Sequence, residues 1–338
     1  MKIDLRSDTF TKPSAHMLQV MMEAEVGDDV FGEDPSVNEL QSYCATLFGM
    51  DAALYCPTGT MANQIAIKCH TQPADELICD KQSHIYIYEA GGIAFNSGVQ
   101  VKPISGLRGQ ITADEITEYI NPVDVHKAHT SLVCLENTSN KGGGSCYDFA
   151  EILNIKALCQ ANQLGLHLDG ARLFNALVAT NQTALVYGQA FDSISICLSK
   201  GLGAPMGSVL LGSRSFIAKA TRVRKVLGGG MRQAGYMAAA GLFALHNNVH
   251  RLSTDHYHAK QIAAQLLDKE FVGKMLPVDT NIIIFEILSD GGAAAFCERL
   301  KAYDVYCLPT SPTMVRMVTH YDVSEQMVDK LLGIIADM

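Results

Sequence analysis

The sequence predicts an α/β protein with a mainly parallel central sheet flanked by helices, followed by a smaller C-terminal α+β domain. Short apolar runs alternate with helix-like segments from Ala52 to Gly212, the pattern of a sheet covered on both faces. After Met231 the texture changes, and two long helix-like stretches lead into a second, shorter set of strands and helices. The chain has 338 residues, 48% hydrophobic and 18% charged, enough to fill cores in about two domains of ~150 residues each and to exclude disorder. The large domain is placed at residues 1–250, including the N-terminal segment, and the small one at 251–338.

Taken in order, AALYC (52–56) reads as a strand and TMANQIAIKCH (60–70) as a helix. ELICD (76–80) and VQVKPIS (99–105) are strands. TADEITEYI (112–120) is a helix in which Thr112 and Glu115 make a capping box. SLVCLE (131–136), a helix over Phe149–Asn162, LGLHLD (164–169), SISICLS (193–199) and SVLLG (208–212) continue the series. Helices are then expected over Met231–Asn248 and Arg251–Glu270. NIIIFEI (281–287), a helix around Ala293–Tyr303, the strands VYCL (305–308) and MVRMV (314–318), and a helix from Ser324 complete the chain.

Several classes of function fall away. The longest apolar stretch, near Tyr236–Leu245, is well short of the ~18 residues of a membrane span. MKIDLRSDTF has no apolar core behind its lysine, so no secretory signal is expected. Net charge is −9 with no run of basic residues, which argues against nucleic acid as a partner. None of the ten cysteines falls in a C-x-x-C pair, and several, such as Cys134 and Cys197, lie inside apolar runs. They read as reduced, packed thiols of a cytoplasmic enzyme, and no metal site is expected.

In an open α/β sheet, ligands bind beyond the carboxyl ends of the strands. After AALYC come Pro57-Thr58-Gly59-Thr60 and a helix. Free N–H groups and the helix dipole at such a start attract anions, although any Thr also makes a plain N-cap. No G-K-[ST] follows, so this is not a P-loop. After LGLHL comes Asp169, an acid that points into the crevice or caps the next helix. After SISICL come Ser199 and Lys200. An ammonium is costly to bury without a partner, so this lysine either snorkels to solvent or forms a Schiff base. An anion cradle, an acid and a lysine, each after a different strand, together suit pyridoxal phosphate. The lysine binds its carbonyl, and the acid keeps the pyridine nitrogen protonated so that the ring becomes an electron sink.

These residues sit in motifs that run nearly end to end: LRSDT (5–9), VGDDVFGEDP (26–35), PTGTMAN (57–63), LENTSN (135–140), HLDGARLFNA (167–176), CLSKGLGAPMGS (197–208), GGGMRQAG (228–235) and VRMVTH (315–320). In them the chain resembles the low-specificity L-threonine aldolases, a branch of the fold-type I pyridoxal-phosphate enzymes. The resemblance implies retro-aldol cleavage of a β-hydroxy-α-amino acid, L-threonine or L-allo-threonine, to glycine and acetaldehyde by a homotetramer with sites at subunit interfaces. It implies that Lys200 binds the cofactor and Asp169 pairs with its ring nitrogen. Thr58, Gly59, Thr60 and Ser199 would hold its phosphate. Lys225 and Arg232 would stand near that phosphate, supplied by a neighbouring subunit, and His84 in SHIYIYEAGG would stack on the ring. Ser7, Arg172 and Arg316 would hold the substrate carboxylate, Arg172 also counting among the cofactor-binding residues, and His126 would stand near the substrate hydroxyl. His84, His126 or a water would serve as the base.

Two residues depart from the family pattern: Ser139 replaces the histidine of E-N-T-H-N, and Phe31 stands where many relatives have Tyr. Both bear on the side-chain pocket more than on the cofactor site. A β-eliminating lyase or racemase of the same fold type would keep Lys200 and Asp169 but release no acetaldehyde from threonine. A silent cofactor-binding scaffold would have no need of the full Lys, Asp and Arg set.

Overall fold

Seven of the strands form one sheet in the computed structural model, which describes residues 1–338. In chain order, β1 is Ile3–Asp4, β2 Ala52–Cys56, β3 Glu76–Asp80, β4 Gln100–Ile104, β5 Thr130–Glu136, β6 Gly165–Gly170, β7 Ser193–Cys197 and β8 Ser208–Gly212. The large sheet has the order β2-β8-β7-β6-β5-β3-β4. Strands β3 to β7 run parallel, and β8 is antiparallel to both its neighbours. The reason lies in the connection: Leu198–Gly207, between β7 and β8, contains no helix, and a parallel return would need a crossover. Strands β3, β5, β7 and β8 are buried at every residue, so they read as continuous apolar runs. Their side chains anchor a core of 41 buried residues. Each fully buried Leu or Ile there, such as Leu168 or Ile194, contributes roughly 1.5–3 kcal/mol, and a charge at Ile194 would break the packing between sheet and helices.

The expected helix over Met231–Asn248 starts later, at Gly235, and runs to Asn247. Buried Asp34 decides the start: its carboxylate accepts the Gly235 N–H at 2.9 Å and also caps the helix Pro35–Phe48 through Val37 N–H at 3.0 Å. One acid thus satisfies orphan donors of two helix ends.

Beyond the helix Leu252–Leu267 lie β9 (Val272–Met275), β10 (Ile282–Ile287), β11 (Val305–Tyr306), β12 (Leu308–Pro309) and β13 (Met314–Val318). A four-stranded antiparallel sheet, β12-β13-β10-β9, covers a second core of 20 buried residues. Sequence patterning does not anticipate β9, because VGKM is an incompletely buried edge strand with no apolar run. The N-terminus, assigned from sequence to the large domain, packs elsewhere: β1 pairs in parallel with β11, and Ile3 and Leu5 are fully buried in the second core. No helix of the protein is long and apolar enough to cross a membrane.

Candidate active site

Two cavities open where β6 and β7 end, one of about 320 Å³ and one of about 680 Å³. Thr58, Gly59, Thr60, Asp169 and Ser199 line the smaller; Ser7, Tyr88, Asn140, Arg172 and Arg316 line the larger. Lys200 and His84 line both. The chain therefore brings together ten of the residues expected from sequence alone, eight of them, Ser7 included, around a shared lysine and histidine.

The smaller cavity is built from strand ends and one helix start. Thr58 caps the helix Gly59–His70, its Oγ1 accepting the Met61 N–H at 3.1 Å. The N–H groups of Gly59 and Thr60 then face out of the helix end without intrahelical acceptors. Nearby Ser208 has a buried hydroxyl with no partner, and a Cβ at Gly59 would lie 3.4 Å from it. Asp169, at the end of β6, is buried. Asn63 Nδ2 donates to its Oδ2 at 2.8 Å and the Ala171 N–H to its Oδ1 at 3.0 Å. Asn63 is oriented in turn by Ser195, whose hydroxyl donates to Oδ1 at 2.6 Å, and by His167 Nε2 at 3.2 Å. Burial and the neighbouring His70 push the His167 pKa down to about 3, so this imidazole is a neutral structural link. An acid held by amides, with neither oxygen hydrogen-bonded to a cationic side chain, fits a protonated ring nitrogen, and the orphan donors opposite fit a phosphate.

His84 opens a short helix, His84–Ile87. Its backbone N–H donates to Glu136 Oε2 at 2.6 Å and its Nδ1 lies 3.0 Å from Glu89 Oε1. Glu136, at the end of β5, also accepts the Asn140 N–H at 2.8 Å. Burial, reinforced by the charge of Asp169, pushes the Glu136 pKa up to about 7.

In the larger cavity the arginines differ. Arg172 forms a buried fork with Asp8, Nε to Oδ2 at 2.7 Å and Nη2 to Oδ1 at 2.7 Å. The bidentate grip expected on a substrate carboxylate is thus already made within the chain. Arg316 donates to Asn140 Oδ1 at 3.0 Å and to the Arg6 carbonyl at 3.1 Å, and its Nε is buried without a partner. Arg316 is therefore the arginine that lines the cavity with neutral partners only and no carboxylate of its own.

Three expected residues lie outside these cavities. His126 sits in the turn before β5, its side chain 86% exposed and bonded to Asp124 at 2.9 Å. The site stands at the other end of β5, about 20 Å along a strand of this length. Lys225 is exposed in the last turn of the helix Arg214–Val226. Helical periodicity turns its neighbour Arg224 inward, where it pairs with Asp29 at 2.8 Å. Arg232 is exposed and pairs with Asp28 at 2.8 Å. The two departures also lie away from the cavities. Ser139 is buried beside Gly109, where a Cβ would stand 2.1 Å from its Oγ and φ is +79°, and Phe31 is 74% exposed.

Sequence reasoning missed Asp8, Asn63, Glu89, Glu136 and Asn140. Glu136 carries the same signal as Asp169, an acid closing an apolar strand. Asn63, Asn140 and Asp8 stand inside motifs already singled out, PTGTMAN, LENTSN and LRSDT.

Comparison with known proteins agrees with this geometry. Residues 4–289 match the beta-eliminating lyase family. Over 325 residues the chain is 45% identical to the low specificity L-threonine aldolase of Escherichia coli strain K12, covering 96% of this chain and 95% of that one. It is 42% identical over 289 residues to the low specificity L-threonine aldolase of Saccharomyces cerevisiae, covering 84% and 74%. The solved structure of Leishmania major threonine aldolase superposes with a TM-score of 0.86 over 99% of both chains at 20% identity, a likeness of fold. With its fold-type I architecture and this extent of identity, the chain belongs to the low-specificity L-threonine aldolases of the beta-eliminating lyase family.

Proposed function

We propose that the protein is a pyridoxal-phosphate-dependent aldehyde-lyase that cleaves L-threonine and L-allo-threonine to glycine and acetaldehyde. The observation that carries this reading is the position of Lys200 where the two cavities meet, with buried Asp169 beneath one and Arg316 in the other. Lys200 would hold the cofactor carbonyl, Asp169 its ring nitrogen, and Gly59, Thr60 and Ser199 its phosphate, with Thr58 ordering the helix start and His84 against the ring. When bound, the cofactor supplies an electron sink for the α-carbon. Arg316, whose charge no carboxylate of the chain pairs, would hold the substrate carboxylate together with Ser7. That anchor orients the Cα–Cβ bond, and orientation selects the bond that breaks. Of the two histidines considered as base, His84 is the one that reaches the cavity of its own chain.

The protein acts as a cytoplasmic homotetramer in which Lys225, Arg232 and His126 serve a neighbouring subunit's site, with no nucleic-acid partner. Exposed apolar side chains support an oligomer: Phe95 is 90% exposed, and Leu18, Met22 and Tyr236 form an exposed apolar cluster. As working domains we keep 1–250 and 251–338, with the first strand docked on the second. The deciding experiment supplies a panel of β-hydroxy-α-amino acids and quantifies glycine and aldehyde together. Equimolar glycine and acetaldehyde from threonine are expected. Pyruvate or a racemised amino acid without acetaldehyde would refute the reading in favour of a sister activity.

A further inference from the structure

The carboxylate of Glu89 is enclosed, the residue being 4% exposed, and three side chains converge on it. Asn63 Nδ2 donates to Oε1 at 3.0 Å, Gln64 Nε2 donates to Oε2 at 2.6 Å, and His84 Nδ1 lies 3.0 Å from Oε1. The two amides are held from behind. Asn63 Oδ1 accepts the Ser195 hydroxyl at 2.6 Å, and Gln64 Oε1 accepts from Asn96 Nδ2 at 3.1 Å. The backbone is committed to the same arrangement. Ala90 and Gly91, which follow Glu89, have φ of 53° and 75° and turn the chain back over the helix that carries Asn63 and Gln64. A Cβ at Gly92 would stand 2.8 Å from the Gln64 amide carbon, so the loop closes on that amide only through glycine. Glu89 itself lines neither cavity.

A carboxylate in this setting only accepts, so Nδ1 of His84 carries the proton. The other ring nitrogen, Nε2, has no partner in the chain, and the residue lines both cavities. We propose that Glu89 is the positioning residue of the reaction: it fixes His84 as the Nδ1–H tautomer and thereby makes Nε2 the group that takes the β-hydroxyl proton. This rests on the threonine-cleaving reading above. In the step, the hydroxyl proton passes to Nε2 and the O–H electron pair becomes the second bond of the aldehyde carbonyl. The Cα–Cβ pair stays with the α-carbon, which is later protonated to give glycine. The charged groups around His84 are Glu89, Asp169, Lys200 and, at its backbone N–H, Glu136, with the Tyr88 ring 5.7 Å away. Burial alone would lower the imidazole pKa. The Glu89 hydrogen bond and the charges of Asp169 and Glu89 outweigh burial and the opposing Lys200, and hold it above the ordinary histidine value.

The test uses holoenzyme carrying Glu89→Gln or Glu89→Asp. His84 is titrated by the pH dependence of its reaction with diethyl pyrocarbonate, with the modified peptide counted by mass spectrometry. Glu89→Gln is expected to lower the midpoint by about one pH unit, since a carboxylate at hydrogen-bonding distance is lost. It should lower kcat by about 10- to 100-fold, a part of the roughly 10²- to 10⁴-fold that general acid–base catalysis contributes because His84 itself is retained, with KM changed less than about twofold. Glu89→Asp keeps the charge but retracts it by one methylene, so it should move both quantities part of the way, and it carries the test if Glu89→Gln does not fold. An unmoved midpoint in the folded variants overturns the proposal, and so does a kcat equal to wild type. If wild type releases no acetaldehyde from threonine, the functional reading fails separately, while the midpoint still reports whether Glu89 sets the state of His84.

Discussion

Replacing Asp8 by Asn should expose how much the N-terminal segment depends on one buried charge pair. Asp8 is fully buried and Arg172 is 7% exposed, and two hydrogen bonds of 2.7 Å join them. Burial by itself would raise the Asp8 pKa, but the charge and hydrogen bonds of Arg172 hold it well below the usual carboxylate range. A carboxylate depressed in this way stabilises the fold above the unfolded value of about 3.9, and the contribution is lost as pH falls below it. Removing one member of a buried pair strands the other charge and costs about 3–5 kcal/mol. For 338 residues the entropy of unfolding is roughly 0.7 kcal/mol/K, so Tm should drop by about 4–7 °C at pH 7. The gap to wild type should begin to narrow below about pH 4 and go on narrowing as pH falls toward the depressed folded value. KM for threonine should rise as well, because the same segment presents Ser7 and Thr9 to the larger cavity. Calorimetry on wild type, Asp8→Asn, Arg172→Gln and the double variant checks the origin of the loss. If the double variant is as destabilised as the two single losses added together, the cost does not come from a stranded charge and the reasoning fails.

Arg316→Lys retains charge but removes the planar fork, so kcat/KM for threonine should fall about 10- to 150-fold, the value of a charge-assisted bond of roughly 1.5–3 kcal/mol; the cofactor absorbance should stay unchanged, and its loss would place Arg316 in cofactor binding. Glu136 has a folded pKa raised to about 7, so its contribution is fully present below the unfolded value and is lost as pH rises through the folded one. The Tm gap between wild type and Glu136→Gln should therefore narrow from pH 5 to pH 8, and a constant gap would show that the carboxyl is not buried as described. Mixing Lys200→Ala with Arg232→Ala subunits should restore activity that neither parent has. Absence of recovery in verified hybrid oligomers would place Arg232 outside a neighbour's site.

The sequence by itself determined the parts that rest on local pattern. Fully buried strands such as β5 and β7 appear as apolar runs, and the Thr112–Glu115 capping box forms as its spacing requires. Lys200 and Asp169 were legible because a residue that ends an apolar strand of a parallel sheet has one place to go, the crevice at the strand ends. Tertiary structure alone decided the pairings between distant segments. Arg172 meets Asp8 across 164 positions, and no periodicity in either segment announces a partner. His126 was separated from the cavities because β5 carries the chain from the surface turn to the site, a distance that motif matching does not measure. Glu89 lies five residues from His84 in the chain, yet its role depends on a loop held by Gln64 and Gly92. The N-terminal strand chose the second core because an edge at β11 was open for pairing. Local propensity sets which elements form; burial and hydrogen-bond satisfaction across the whole chain set which of their side chains meet.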